Sequence, residues 1–346
     1  MKAVIQPSAT SHVLEEKTLP VPTPTADSYL IHVKTTSPCP GELDWEAWFA
    51  AIYPPGGLEP DNRVPGTEGA GVVAALPTSG TPTFAIGDEV FFRIDAVLPG
   101  AMKDYTLVPA INVAPKPKSL SWAEAGATAL SSLTAWQGIF EHGTLDPAAL
   151  ALGADTETAD AARKSNSTQR VLITGASGSV GNWAVQFAAA AGAHVVAVCS
   201  GAKAAAATKA GAAEVIDYTT SSVGEWAKGG NEVDLIFDAA PTKPGDTGPM
   251  AQLWSAIKDG GTLLSVVNDP NSGKPSTATP FKNHVKAQWF LVTPRGSDLA
   301  RIGQLVDGRD WKPMLDSVVP WGQYTDAFTR VDEGRARGKV VITVNV

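Results

Sequence analysis

Two rhythms of apolar and polar positions divide the chain. Up to about Ser119, short runs with a β-like alternation are separated by Pro and Gly: YLIHVKTT (29–36), GAGVVAAL (69–76), DEVFFRI (88–94) and YTLVPA (105–110). They predict a partly antiparallel β domain with long connections. A helical pattern follows, SWAEAGATALSSLTAWQGIFEH (121–142), which Ser121 caps with Glu124 at the capping-box spacing. Residues 143–169 are polar and Ala-rich and read as a surface excursion. From Arg170 the rhythm changes to apolar runs: VLIT (171–174), HVVAVC (194–199), EVIDY (214–218), VDLIFDAA (233–240), GTLLSVV (261–267) and QWFLVT (288–293). Ala-rich helical segments separate most of them. Continuous apolar strands alternating with helices are what a parallel sheet covered on both faces requires. Six of them fit an α/β, doubly wound dinucleotide fold. The tail GRARGKVVITV (334–344) is β-like again, so the chain is expected to return to its first domain. The predicted boundaries are 1–125, 126–294 and 295–346.

The strand–loop–helix unit at VLITGASGSVG (171–181) carries the first chemistry. Gly175, Gly178 and Gly181 stand directly after a strand and open a helix. Such glycines allow a tight turn and let the amides of Ser177, Ser179 and Val180 approach a pyrophosphate at the positive helix end. The end of the second strand then bears on the cofactor. An NAD site places Asp or Glu there for the ribose 2′-hydroxyl, whereas this chain has Cys199, Ser200, Gly201, Ala202 and Lys203. Ser200 offers a hydrogen bond and Lys203 a positive charge, with Tyr218 as a further donor, which favours the 2′-phosphate of NADPH. The other reading of Lys203 is a solvated helix residue.

Composition narrows the rest. A length of 346 residues suits two domains, and 44% hydrophobic with 18% charged residues describes a soluble globular chain. With 27 basic against 35 acidic residues the net charge is −8, which speaks against a nucleic-acid surface. Two cysteines, Cys39 and Cys199, build neither a disulfide framework nor a four-cysteine zinc lobe. That pattern, with an amino end lacking a signal-peptide core and no membrane span, leads to the expectation of a cytoplasmic protein.

Together PGTEGAGVV (65–73), GDEVFF (87–92), AEAGATALSSLTAW (123–136), GASGSVG (175–181) and GKVVITV (338–344) resemble the medium-chain dehydrogenase/reductase superfamily. Within it, the likeness is to the zinc-free quinone oxidoreductase and enoyl reductase branch, fungal trans-acting enoyl reductases included. The resemblance implies a Rossmann domain beside a discontinuous, mainly β GroES-like domain. In zinc-dependent relatives three ligands hold the metal; the matching positions here are Cys39, Thr67 and Leu130. One candidate of three cannot hold catalytic zinc, and adding an oxygen from Glu68 still leaves too few.

Without that Lewis acid, reduction of a C=C bond conjugated to a carbonyl is the expected chemistry, because its enolate needs only hydrogen bonds and a proton. The stretch ELDWEAWFAAIYPPGG (42–57) resembles the enoyl thioester reductase segment whose Tyr before Pro donates that proton. Tyr53 is thus the candidate acid; its alternative roles are to cap a substrate cleft or to lie in a surface loop. The resemblance also places Thr134 near the nicotinamide, where the bland reading is a helix Thr bonding its own backbone. It sets Asp238 and Ala239 at the nicotinamide ribose, Val266, Val267 and Asn268 at the end of the fifth strand, and Lys339 near the phosphates or else in a solvated tail. Trp45, Trp48 and Phe49 wall an apolar pocket or pack in the core. The expected partner is a small molecule, including an acyl chain on a carrier, for a monomer or a homodimer paired through QWFLVT. Quinone reduction and an NADPH-binding protein without turnover are the competing functions.

Overall fold

The computed structural model describes residues 1–152, 155–241, 248–274, 282 and 284–345. The chain divides into two compact units, Met1–Leu133 with Thr293–Val346, and Thr134–Val292. The expected boundary at 125/126 falls inside a helix, Trp122–Gly126, whose capping box of Ser121 and Glu124 is present in both directions. The helical pattern does not run on unbroken: after Ala127 a second helix spans Ala129–Trp136, and a π-helical turn covers Gln137–Glu141.

The first unit holds β1 (Lys2–Ile5), β2 (Glu15–Thr18), β3 (Ser28–Thr36), β4 (Glu68–Ala75), β5 (Glu89–Arg93), β6 (Tyr105–Pro109) and β7 (Val113–Pro115). The second holds β8 (Arg170–Ile173), β9 (His194–Cys199), β10 (Glu214–Asp217), β11 (Val233–Asp238), β12 (Ile257–Ser265) and β13 (Lys286–Trp289). The chain then re-enters the first unit with β14 (Leu315–Pro320) and β15 (Lys339–Thr343).

Six parallel strands of the second unit run in the order β10-β9-β8-β11-β12-β13. This is the doubly wound arrangement, with the order reversing beside the first strand. Leu172, Val196, Ile236 and Leu263 are wholly buried in one cluster with residues of the covering helices, among them Leu253 and Trp254. Burying each such side chain contributes about 1.5–3 kcal/mol, which is why these runs are apolar without alternation. The last run is a correction: pairing covers Lys286–Trp289 and stops before Phe290, so QWFLVT is strand only at its start. The 143–169 stretch is also more than an excursion. Its Thr156–Asn166 helix buries Ala159, Ala162 and Asn166, and Asn166 donates to the carbonyls of Asp146 and Ala191. Residues 153 and 154 of that stretch lie outside the described residues.

In the first unit, a sheet ordered β14-β15-β3-β4-β5-β7 is mainly antiparallel, with β6 also pairing β3. The C-terminal strand β15 thus sits inside this sheet, between β14 and β3. Among the described residues, no helix is long and apolar enough to cross a membrane.

Candidate functional site

The nucleotide end of the second unit is built where β8 meets its helix, Ser179–Ala190. Gly175 has φ +58°, and a Cβ there would stand 2.6 Å from the Ala239 carbonyl oxygen. A Cβ on Gly181 would stand 2.2 Å from the Gly175 carbonyl oxygen. Both positions therefore exclude any side chain. Gly178 is the helix N-cap and contributes no side-chain cap, so the first-turn amides of Ser179, Val180 and Gly181 keep no intrahelical partner. Ser177 to Val180 form a half-exposed rim around them. A bare helix amino end behind a turn that admits no Cβ fits a pyrophosphate.

The 2′-phosphate candidates come together through register. In the β9–β10 pair, Cys199 lies opposite Asp217, so the next residues, Ser200 and Tyr218, leave adjacent strands side by side. Lys203 closes a short turn on Ser200 by donating its amide to the Ser200 carbonyl at 2.8 Å. Ser200 and Lys203 are half-buried, and Tyr218 is 63% exposed.

Asp238 ends β11 differently from the expectation of a cofactor contact. It is only 3% exposed, and its two oxygens accept hydrogen bonds from Thr174 Oγ1 at 2.5 Å and Ser265 Oγ at 2.8 Å. Burial pushes its carboxyl up from the ordinary value, against the two hydroxyls and the Ala240 backbone amide, which favour the charged form. Ala239, Val266 and Asn268 lie half-buried and Val267 exposed in the loops that follow β11 and β12. Thr134 is buried within its helix. Thr174 and Ser265 carry no motif of their own in the sequence.

The first unit concentrates charge in its interior. Glu68 is 0% exposed; its Oε1 lies 2.8 Å from Lys339 Nζ, and its Oε2 accepts the Leu130 amide at 2.7 Å. Lys339 Nζ also donates to the Pro38 carbonyl at 2.8 Å. Burial is the largest single influence and works against the Lys339 charge, but Glu68 and the other acidic groups around it together hold the ammonium above its usual pKa. The expected phosphate-facing Lys339 is thus committed to a buried ion pair. Glu42, likewise buried, accepts the amides of Gly66 at 2.7 Å and Thr67 at 3.1 Å on one oxygen and that of Cys39 at 2.9 Å on the other. Arg93 donates to the Thr67 carbonyl at 3.0 Å. No local pattern in the sequence marks Glu42, whereas an Arg continuing the apolar VFF run of β5 is a readable anomaly.

Tyr53, held in extended backbone ahead of Pro54, lines a cavity of about 30 Å³ with Glu42, Trp45 and Thr67. Burial, with Glu42 and Glu46 adding to it, pushes the Tyr53 phenol up to about 12. Thr67 Oγ1 is buried with no hydrogen-bond partner among the described residues. The aromatic trio resolves unevenly: none of Trp45, Trp48 and Phe49 is a buried core residue, and Trp48 is 62% exposed. The donor set at the position of a catalytic zinc does not fit the metal. Burial pushes the Cys39 thiol up to about 12, which keeps it a thiol, and Thr67 and Leu130 supply no ligand. Among the described residues, no group of three or more His, Cys, Asp or Glu is placed to hold a metal ion.

Comparison with known proteins agrees with this architecture. Residues 25–118 match the alcohol dehydrogenase GroES-like domain family and residues 210–342 the zinc-binding dehydrogenase family. A protein of Arthroderma benhamiae named "Probable zinc-binding oxidoreductase, mitochondrial" is 34% identical over 97% of this chain and 94% of its own. A chloroplast envelope quinone oxidoreductase homolog of Arabidopsis thaliana is 27% identical over 95% of this chain and 93% of its own. The crystal structure of an NAD-dependent alcohol dehydrogenase superposes with a TM-score of 0.74 at 25% identity, covering 100% of both chains. The chain belongs to the medium-chain dehydrogenase/reductase superfamily and is an oxidoreductase using a nicotinamide cofactor. The expectation of a cytoplasmic location is overturned by these relatives, whose names place them in mitochondria and the chloroplast envelope. Unpaired cysteines speak to the redox state of a compartment, not to which compartment it is.

Proposed function

We propose that the chain is an NADPH-dependent reductase of an activated C=C bond, an enone or an enoyl thioester, working without catalytic zinc. The observation that carries the reading is the pairing of a metal-unfit position with a protonated phenol: Cys39, Thr67 and Leu130 stand where ligands would, and Tyr53 shares a cavity with Thr67. When bound, the reduced nicotinamide supplies a hydride to the β-carbon of the substrate. Tyr53, kept protonated across the neutral range, donates its phenolic proton to the α-carbon as the enolate collapses, and solvent returns that proton. Ser200, Lys203 and Tyr218 bind the 2′-phosphate, and the amides of Ser179, Val180 and Gly181 bind the pyrophosphate.

The test is NADPH oxidation with an α,β-unsaturated carbonyl beside its saturated counterpart. The unsaturated compound should be turned over strongly faster; equal rates reject the reading. Tyr53→Phe should lower turnover by about 100-fold while leaving NADPH affinity unchanged, and unaltered turnover removes Tyr53 from the chemistry. A quinone is the second acceptor, favoured by the name of the Arabidopsis relative. Side-by-side turnover of a quinone and an enone separates the two.

A further inference from the structure

We propose that Asp238 is a positioning residue that sets, through two hydroxyl groups, the conformation of three loops at the cofactor end of the second unit. The proposal rests on the cofactor reading above. An ionised carboxylate only accepts hydrogen bonds, and a hydroxyl has one hydrogen to give. Asp238 takes the hydrogens of both Thr174 and Ser265. The lone pairs of each hydroxyl are thereby turned toward backbone amides. Thr174 Oγ1 accepts from Ala239 N at 3.1 Å and Ala240 N at 3.2 Å. Ser265 Oγ accepts from Val267 N at 3.2 Å and Asn268 N at 3.1 Å. One carboxylate therefore orders four amides in the loops after β11 and β12. The third loop is coupled by packing, since Gly175, next to Thr174, leaves no room for a Cβ against Ala239 and Ala240.

The arrangement has two arms that can be cut separately. Thr174→Val removes the hydroxyl beneath Ala239 and Ala240, and Ser265→Ala removes the one beneath Val267 and Asn268. Asp238→Asn keeps one acceptor oxygen and presents an N–H to the other hydroxyl, so it disturbs one arm only; Asp238→Ala releases both.

Amide hydrogen exchange on the cofactor-free full chain reads the arms directly, and NADPH titration by fluorescence reads their effect on binding. Thr174→Val should speed exchange at Ala239 and Ala240 alone, and Ser265→Ala at Val267 and Asn268 alone. Asp238→Asn should raise the NADPH Kd about tenfold in a protein that remains folded, and Asp238→Ala should raise it further. Exchange that rises uniformly over the unit in every variant, or a folded Asp238→Asn protein with the wild-type Kd, overturns the proposal. If Asp238→Ala does not fold, the two hydroxyl variants and Asp238→Asn still decide it. Absence of NADPH binding in the wild type would reject the cofactor reading, while the exchange pattern would still separate a two-armed device from a merely structural carboxylate.

Discussion

Each unit buries a carboxylate, and the two stabilise it by different means. Glu68 in the first unit faces the ammonium of Lys339, whereas Asp238 in the second faces two neutral hydroxyls. An ion pair compensates charge with charge, so losing one member leaves the other uncompensated in a low dielectric. A carboxylate held by hydroxyls needs no countercharge; losing it frees two rotors and the backbone amides they hold. The first device is chiefly one of stability, the second one of conformation.

The largest test of this contrast is Lys339→Met. Removing the ammonium leaves Glu68, wholly buried, with a single backbone amide, and should cost about 3–5 kcal/mol in urea denaturation. The double variant Glu68→Gln/Lys339→Met should regain much of that loss; additive losses would show that the two side chains are not coupled. Asp238→Asn should cost less, about 1–3 kcal/mol in the same assay, because one hydroxyl keeps its acceptor. A loss equal to that of Lys339→Met would erase the distinction between the two devices.

A smaller test uses a partly solvated pair in the first unit. Asp316 accepts from Arg330 at 2.5 and 2.9 Å, and these bonds hold its carboxyl far below the usual range. A depressed carboxyl stabilises the fold above its unfolded pKa of about 3.9 and loses that contribution as pH falls toward the folded value. Arg330 is 41% exposed at its side chain, so solvent screens the pair. Asp316→Asn should therefore lower Tm by roughly 2 °C at pH 7, with the gap closing below pH 4. A gap independent of pH would assign the effect to packing. The smallest effect on stability is expected from Lys203→Ala: an unchanged Tm, with NADPH Kd raised about tenfold and NADH Kd unaltered. An equal change for both cofactors would take Lys203 away from the 2′-phosphate.

What was readable in the sequence is what short stretches encode. The parallel strands appear as unbroken apolar runs, and the capping box at Ser121 and Glu124 needs only a three-residue spacing. The glycine loop likewise keeps its strand, turn and helix within one segment. The interior charges escape such reading because their partners are remote. Thr174 and Asp238 are 64 residues apart, and Asp238 and Ser265 are 27 apart. Lys339 was legible as a charge but not as a partner of Glu68, since no local pattern brings β15 to β4. The Thr156–Asn166 helix was hidden by polar, Ala-rich residues whose few apolar contacts come from Ala159 and Ala162.

The place of β15 within the first sheet bears on how the chain is made. Residues 134–292 are contiguous, so during synthesis the nucleotide unit is complete before the first unit can be. At that moment the first sheet lacks β14 and β15, and Glu68 has no ammonium beside it. The unit begun first is finished last, and it closes only when the ribosome has released Lys339. A stop codon a few residues before that lysine would leave a finished nucleotide unit joined to an open sheet with an unpaired acid in its interior.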